Sequence, residues 1–433
     1  MTRPLHELVD EQAHRVHGSI FTDPAIYDRE VEQIFHRCWL FLGHVSEIPA
    51  PGDYVTRRMG TDHVIVQRDA RGTIRALVNA CLHRGAQLCR ADAGNNRRIV
   101  CPYHGWTYDA TGKLLTTTFD RCYDREDLSR LRLASAPQLD TYAGLIFATW
   151  DPAAPPLAEY LGDVRWYLDL LFQRTPGGME VLGPPQRWVI ETNWKLPALN
   201  FGADMQHALH VHRGPWAIGA KAGAPVPMSA LMQGLRMSPQ VSFPGGHGCS
   251  LISAPPGVPE FCGLPAELVP LYERTLGPAQ LGVLRQLFST VGTIFPHVSW
   301  IQPAIAMTAD APPVAFLTMR TWQPLGPDKI ELWSWYFAEQ EASAARKQEV
   351  LRTGIQTFGM AGLYEEDDTE VWASITRASG GAIARTAMMD FRAGLDMAPF
   401  EGFPGPGTVY PSLADRAQFN FLCAWKRHLG QGT

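Results

Sequence analysis

Nowhere in the 433 residues does an uninterrupted apolar run approach the roughly 18 positions that would cross a bilayer. The opening MTRPLHELVDEQAHRVHG is polar where a secretory leader would be apolar. A cytoplasmic protein with no membrane partner is therefore expected. An excess of basic charge is also missing: 38 Lys and Arg stand against 43 Asp and Glu, for a net charge of -5. Bulk electrostatics thus give no reason to expect a nucleic acid or an anionic lipid surface as partner. Cysteine is scarce, with eight residues at positions 38, 81, 89, 101, 122, 249, 262 and 423, too few in so long a chain for a disulfide framework. The cysteines that matter are better sought as metal ligands. What the chain has in quantity is apolar residues, 45% against 19% charged, enough to bury a large core in two domains.

Between Trp39 and Asp151, β-branched and aromatic runs are punctuated by Gly, Asp and Asn, as in HVIVQRD-ARG-TIRALVN, WTYD-ATG-KLL and GLIFATWD. That is the pattern of hairpins, and it predicts an all-β module closed by the proline-rich linker DPAAPP, Asp151 to Pro156. Beyond it, helical periodicity in ALNFGADMQHALHVH and RKQEVLRTGIQTFGMAGLYEEDD alternates with strand-like VAFLTMRTW and IELWSWYFA. The second domain should be α+β. APPGVPEFCGLP and PFEGFPGPGTVYPS look like surface connections.

The β module contains CLHRGAQLCRADAGNNRRIVCPYHGW. Cys81-x-His83 is followed, after 17 intervening residues, by Cys101-x2-His104, so each of two loops offers one thiolate and one imidazole. A zinc finger more often pairs like with like, although a Cys2His2 zinc site in a binding protein stays open as an alternative. Two thiolates on one iron and two imidazoles on the other make the Rieske [2Fe-2S] arrangement. Cys89 lies outside the pattern and reads as a buried small hydrophobe. Gly105 and Trp106 would allow a tight turn around the cluster and shield it.

With CLH and CPYHGW on a β module, an EIPAPGDYVTRRMG lead-in and a larger α+β domain behind, the chain resembles the large (alpha) subunit of Rieske non-haem iron aromatic ring-hydroxylating dioxygenases along nearly its whole length. The resemblance implies an α+β fold in three parts. These are an N-terminal helical segment (1–38) packed on the catalytic domain, a Rieske domain (39–155), and a catalytic mononuclear iron domain (156–433) with an antiparallel sheet and covering helices of helix-grip type. It also implies a second metal, since a one-electron cluster needs a centre with open positions to handle O2, which a 2-His-1-carboxylate triad on Fe(II) supplies.

The stretch DMQHALHVHRGPW offers three histidines for that triad. On a regular helix, at about 100° per residue, His207 and His210 would lie about 60° apart and His207 and His212 about 140°, which favours His207 with His210. The family pattern, Asp-x2-His-x4-His after NWK, implies His207 and His212 instead, with the helix unwinding before Arg213, and leaves His210 unassigned. The carboxylate carries over to Asp368 in AGLYEEDDTEVW; Glu365, Glu366 and Asp367 are then expected at the surface or behind the ligands.

The resemblance further implies that Asp204 links the two centres, bonding His104 of one protomer and His207 of the next in a homotrimer, with a small beta subunit as a further possible partner. A ferredoxin, a reductase or both would deliver electrons originating from NAD(P)H. Candidate pocket residues are Asn200, Phe201, Met205, Phe358 and Tyr364, with His297 a further candidate. The absence of an arginine from that set favours a neutral arene over an aromatic acid. A Rieske monooxygenase or demethylase is the alternative activity. Two positions depart from the family, Leu199 where relatives carry glutamate and Gln206 where many carry tyrosine.

Overall fold

The computed structural model describes residues 4–123, 125–215, 217, 228–308 and 310–431. They fall into two units, Phe35–Leu157 and a larger one made of Met1–Ile34 with Ala158–Thr433.

The smaller unit is built from β1 (Leu40–His44), β2 (Asp53–Met59), β3 (Asp62–Arg68), β4 (Ile74–Val78), β5 (Ala93–Asn95), β6 (Arg98–Val100), β7 (Thr107–Asp109), β8 (Leu114–Thr116), β9 (Gln138–Tyr142) and β10 (Leu145–Thr149). They form a four-stranded sheet in the order β4-β3-β2-β5 and two three-stranded sheets, β8-β7-β6 and β9-β10-β1. Short turns set the registers. Asp69 and Asp109 each use a side-chain oxygen to hold backbone N–H groups across the β3–β4 and β7–β8 turns, an Asx device that closes a hairpin locally. A short α-helix, Arg125–Arg130, and the 3-10 turns Val45–Glu47 and Asp120–Cys122 interrupt the β architecture. Leu77, Ile99, Trp106, Tyr108, Leu114 and Leu133 make the core beneath the sheets.

The larger unit is organised on an antiparallel ten-stranded sheet. Its main path runs β11 (Met179–Val181), β18 (Lys329–Glu339), β17 (Leu317–Gly326), β16 (Val298–Ile305), β15 (Leu287–Ile294), β14 (Gly248–Ser253), β13 (Pro239–Ser242) and β19 (Thr408–Pro411), with β12 (Gln186–Ile190) also pairing β18 and the two-residue strand Val314–Ala315 pairing β16. The central strands β16 and β17 are buried along almost their whole length, because helices cover the sheet. Those helices are α1 (Lys195–Phe201), α2 (Ala344–Phe358), α3 (Glu365–Ser379) and α4 (Arg416–Gly430); α1 packs on β15 and β16, α2 on β18, and α4 on β13 and β14.

Three local expectations change. The N-terminal segment is helical only in part: between the helices Leu5–Leu8 and Pro24–Glu30 the short strands Val9–Asp10 and Arg15–His17 pair with each other, and the second also pairs Met388–Asp390. The expected helix through His212 stops at Phe201. Gly202 follows, where a Cβ would meet the Ala198 carbonyl at 3.0 Å, and then Ala203 at φ 85°, a left-handed conformation that L-residues enter at a cost of about 1–3 kcal/mol. The long helix expected over RKQEVLRTGIQTFGMAGLYEEDD is two helices, because α2 ends at Phe358, just before Gly359, and α3 starts at Glu365. Its acid run is a helix beginning: Glu365, Glu366, Asp367 and Asp368 fill the first turn of α3, where negative charge complements the exposed N–H groups.

Candidate metal centres

In the smaller unit two loops are built alike. The N–H of Cys81 donates to the Ala86 carbonyl and that of Gly85 to the Cys81 carbonyl; in the second loop Cys101 donates to Trp106 and Gly105 to Cys101. Both turns close on a left-handed glycine, Gly85 at φ 72° and Gly105 at φ 67°. Each loop thereby carries its cysteine buried at the base and its histidine half-exposed at the tip. Cys81 and Cys101 are 3% exposed, and burial pushes the Cys81 thiol up. The imidazoles meet with their Nδ1 atoms 3.1 Å apart. Trp106 stacks on His83 at 5.0 Å, and the Tyr108 hydroxyl, which accepts from the N–H of Leu82, sits 3.2 Å from the Cys81 sulfur. Cys89 is buried nearby, and burial holds its thiol up at about 11.

Among the described residues of the larger unit one group of side chains could hold a metal: His207, His212 and Asp368, with one donor atom from each within 4.8 Å of the others. The Nε2 atoms of His207 and His212 lie 3.6 and 3.5 Å from Asp368 Oδ1. Ligands about 2.1 Å from one ion stand on the order of 3.0–3.4 Å apart at square or tetrahedral angles, close to these two histidine–carboxylate separations. Three donors on one side leave other positions open. Burial drives the Asp368 carboxyl up to about 7 and His212 down to about 3. Burial would lower His207 too, but the carboxylates of Asp204 and Asp368 carry it up to about 9.

Each imidazole also has a carboxylate behind it. Nδ1 of His207 faces Asp204 at 3.7 Å and Nδ1 of His212 faces Asp367 at 3.5 Å. Carboxylates so placed fix the tautomer of a ligating histidine and raise its basicity. The chain folds this way because Asp204 Oδ1 accepts the N–H groups of Gln206 and His207, closing a turn that launches the 3-10 segment His207–Leu209. Gln206 ties that turn to the Leu413 carbonyl and to Asp415. His210 is exposed and outside the group.

The Rieske [2Fe-2S] domain model matches residues 38–132. The biphenyl 2,3-dioxygenase subunit alpha of Rhodococcus jostii (strain RHA1) is 35% identical over 97% of this chain and 90% of its own length. The chain belongs to the Rieske aromatic ring-hydroxylating dioxygenase alpha subunits. The N,N-dimethyl phenylurea N-demethylase subunit alpha of Sphingobium sp. (strain YBL2) is also similar, 33% identical over 95% of this chain and 90% of its own. Among solved structures, naphthalene 1,2-dioxygenase from Rhodococcus sp. bound to indole matches with a TM-score of 0.90 and 39% identity, covering 98% of this chain and 96% of that one.

The chain is therefore an α+β oxidoreductase whose cofactors are a [2Fe-2S] cluster and a mononuclear non-haem iron. The residues present fit both groups: two buried thiols and two converging imidazoles for the first, two imidazoles and a buried carboxylate for the second. No helix among the described residues is long and apolar enough to cross a membrane.

The candidate pocket residues divide. Asn200 Nδ2 is 3.5 Å from His207 Nε2. Tyr364 meets His212 edge to face at 5.1 Å and stacks on Phe358 at 5.5 Å. Met205 joins an apolar cluster with Ala208, Leu235 and Ile252. Phe201 instead packs among Trp322 and Trp372, and His297 is buried, its imidazole lowered to about 3 by that burial.

One expectation about charge is narrowed and one corrected. Of the two places expected for Glu365, the surface is excluded: it is 1% exposed. An arginine does stand beside the candidate lining: the Arg320 guanidinium lies 5.2 Å from the Phe358 ring and 5.3 Å from that of Phe201. Its charge is spent on Glu365, so it offers no free cation to a carboxylate substrate. In the sequence Arg320 looks like any polar residue of a strand, and only its partners reveal it.

Proposed function

We propose that Cys81, His83, Cys101 and His104 hold the Rieske cluster, that His207, His212 and Asp368 hold the mononuclear iron, and that the chain is the terminal oxygenase adding both atoms of O2 to a neutral mono- or polycyclic arene. The convergence of half-buried His207 with buried His212 and Asp368 in one group carries this reading, together with relatives whose names state biphenyl, benzene and naphthalene dioxygenation. Bound in these sites, the iron supplies exchangeable positions for O2 and the cluster supplies electrons one at a time. The balance is arene plus O2, two electrons and two protons to a cis-dihydrodiol. The chain's own residues do the rest. Asp204 and Asp367 orient the two imidazoles, the Tyr364–Phe358 stack gives an aromatic wall beside His212, and the Met205 cluster keeps the neighbourhood of His207 apolar and poor in water.

Electrons reach the cluster from a ferredoxin, a reductase or both, and the working assembly is a homotrimer, with or without a beta subunit, in the cytoplasm. In it Asp204 bonds His207 of its own chain and accepts from a cluster histidine of a neighbouring copy. N-Demethylation is the second reading, favoured by the similarity to the phenylurea demethylase. The deciding experiment supplies the purified protein with electrons and 18O2 and offers naphthalene, biphenyl and N,N-dimethylphenylurea. A cis-dihydrodiol carrying two labelled oxygens is expected; aldehyde release from the urea with the arenes untouched would overturn the dioxygenase reading in favour of the second.

A further inference from the structure

We propose that Arg320 is a positioning residue for the mononuclear centre, which it serves without touching metal or substrate. The inference rests on the reading of Asp368 as an iron ligand.

Arg320 sits in the middle of β17, paired to Ser299 on one side and Ser334 on the other, and its side chain is fully buried. Nη1 donates to Glu365 Oε2 at 2.6 Å and Nη2 to the Phe358 carbonyl at 2.6 Å. Phe358 is the last residue of α2 and Glu365 the first of α3, so one planar fork grips both ends of the six-residue turn Gly359–Tyr364. Asp368 stands three residues past Glu365, in the same first turn of α3. The orientation of that turn decides where the Asp368 carboxylate points. The same turn delivers Tyr364, whose ring packs on Phe358 and against His212.

Packing alone does not account for the pair. Buried ion pairs are commonly no more stabilising than apolar residues of similar volume, and this one leaves Arg320 Nε and Glu365 Oε1 without hydrogen-bond partners, a further cost. A planar guanidinium that bonds two separate acceptors in a fixed fork adds geometric definition that an apolar filler lacks. The rigid sheet is thereby linked to the joint from which a metal ligand projects, and holding ligands to a narrow geometry is what a metal site requires of its surroundings.

The test uses protein with its Rieske cluster intact and the mononuclear site cleared by a chelator, titrated with Co(II) while d–d absorption is followed. Arg320→Lys keeps a charge opposite Glu365 but loses the planar fork, and should bind Co(II) about 10-fold more weakly, within the 10- to 100-fold range seen when groups supporting metal ligands are lost. Arg320→Met/Glu365→Met removes both charges, so its thermal midpoint should stay near wild type while Co(II) binding is weakened at least as much. Glu365→Gln still accepts from Arg320 and should retain affinity, which separates geometry from charge. Wild-type affinity in Arg320→Lys, or in the double variant with its thermal midpoint preserved, would overturn the inference. Asp368→Ala distinguishes the two levels. Co(II) bound as in wild type would sink the ligand assignment itself, whereas Co(II) lost there but kept in the Arg320 variants would sink only the role of Arg320.

Discussion

His212 is held between two adjacent aspartates, with Nε2 3.5 Å from Asp368 and Nδ1 3.5 Å from Asp367. Consecutive residues on a helix point about 100° apart, so the first turn of α3 can reach both edges of one ring. Asp368 belongs to the metal group and Asp367 to the support of its histidine.

Asp367→Ala should therefore lower the mononuclear iron bound at a fixed free concentration, by about 10-fold or more, and leave the cluster spectrum unchanged. His212→Ala should empty the site, and His210→Ala should keep it filled. Iron per chain with the cluster absorbance as internal standard reads all three; retention of iron by His212→Ala would break the assignment.

Around the cluster, the Tyr108 oxygen accepts from the Leu82 N–H, which leaves its proton for the Cys81 sulfur. Hydrogen bonds to ligating sulfur stabilise the reduced, more negative cluster and so raise its potential. Tyr108→Phe should retain the red-brown colour and lower the midpoint by a few tens of millivolts, on a scale where about 59 mV is tenfold for one electron. Cys101→Ser should abolish the visible bands. Redox titration of an unchanged midpoint in Tyr108→Phe would show that the hydroxyl does not bond the sulfur.

A third expectation concerns stability. Lys195 and Glu30 are both fully buried, and Glu30 also accepts from the indole N–H groups of Trp194 and Trp425, joining the N-terminal segment to α1 and α4. Lys195→Met leaves a buried carboxylate with its cation gone and should cost about 3–5 kcal/mol, read as a loss of denaturation midpoint. Lys195→Met/Glu30→Gln should recover much of it; equal loss in both variants would mean that the charges are not coupled.

How much of this was legible in the sequence depended on how local each feature is. The two candidate cluster loops were readable because the cysteine and histidine of each lie within four residues and a glycine follows the histidine by one or two positions. The break after Phe201 left a signal in Gly202 and none in Ala203, whose left-handed backbone is imposed by its surroundings. Asp368 follows His212 by 156 positions (368 − 212), and among four acids only the family pattern singled it out. Arg320 and Glu365 carried no signal. Strand alternation gives a polar residue no address, and their pairing exists only once β17, α2 and α3 have assembled.

Asp204 gives the sharpest test of communication between the centres. Its Oδ1 accepts two backbone N–H groups of its own turn, and the carboxylate faces His207 Nδ1 at 3.7 Å. Burial would raise its pKa, but the bonds and charge of His207 hold it below the usual carboxylate range, so it is anionic and able to accept further donors. Asp204→Asn keeps the size and one acceptor oxygen, enough to hold the turn, but loses the charge that a donor from a neighbouring copy would meet. Both Asp204→Asn and Asp204→Ala should keep the cluster spectrum. Asp204→Asn should retain most of the mononuclear iron, yet a chemically reduced sample mixed with substrate and O2 should reoxidise its cluster far more slowly than wild type. Single-turnover absorbance at the cluster band is the measurement. Near-normal reoxidation in the iron-replete Asp204→Asn protein would leave Asp204 as the closure of a turn and remove it from the electron route.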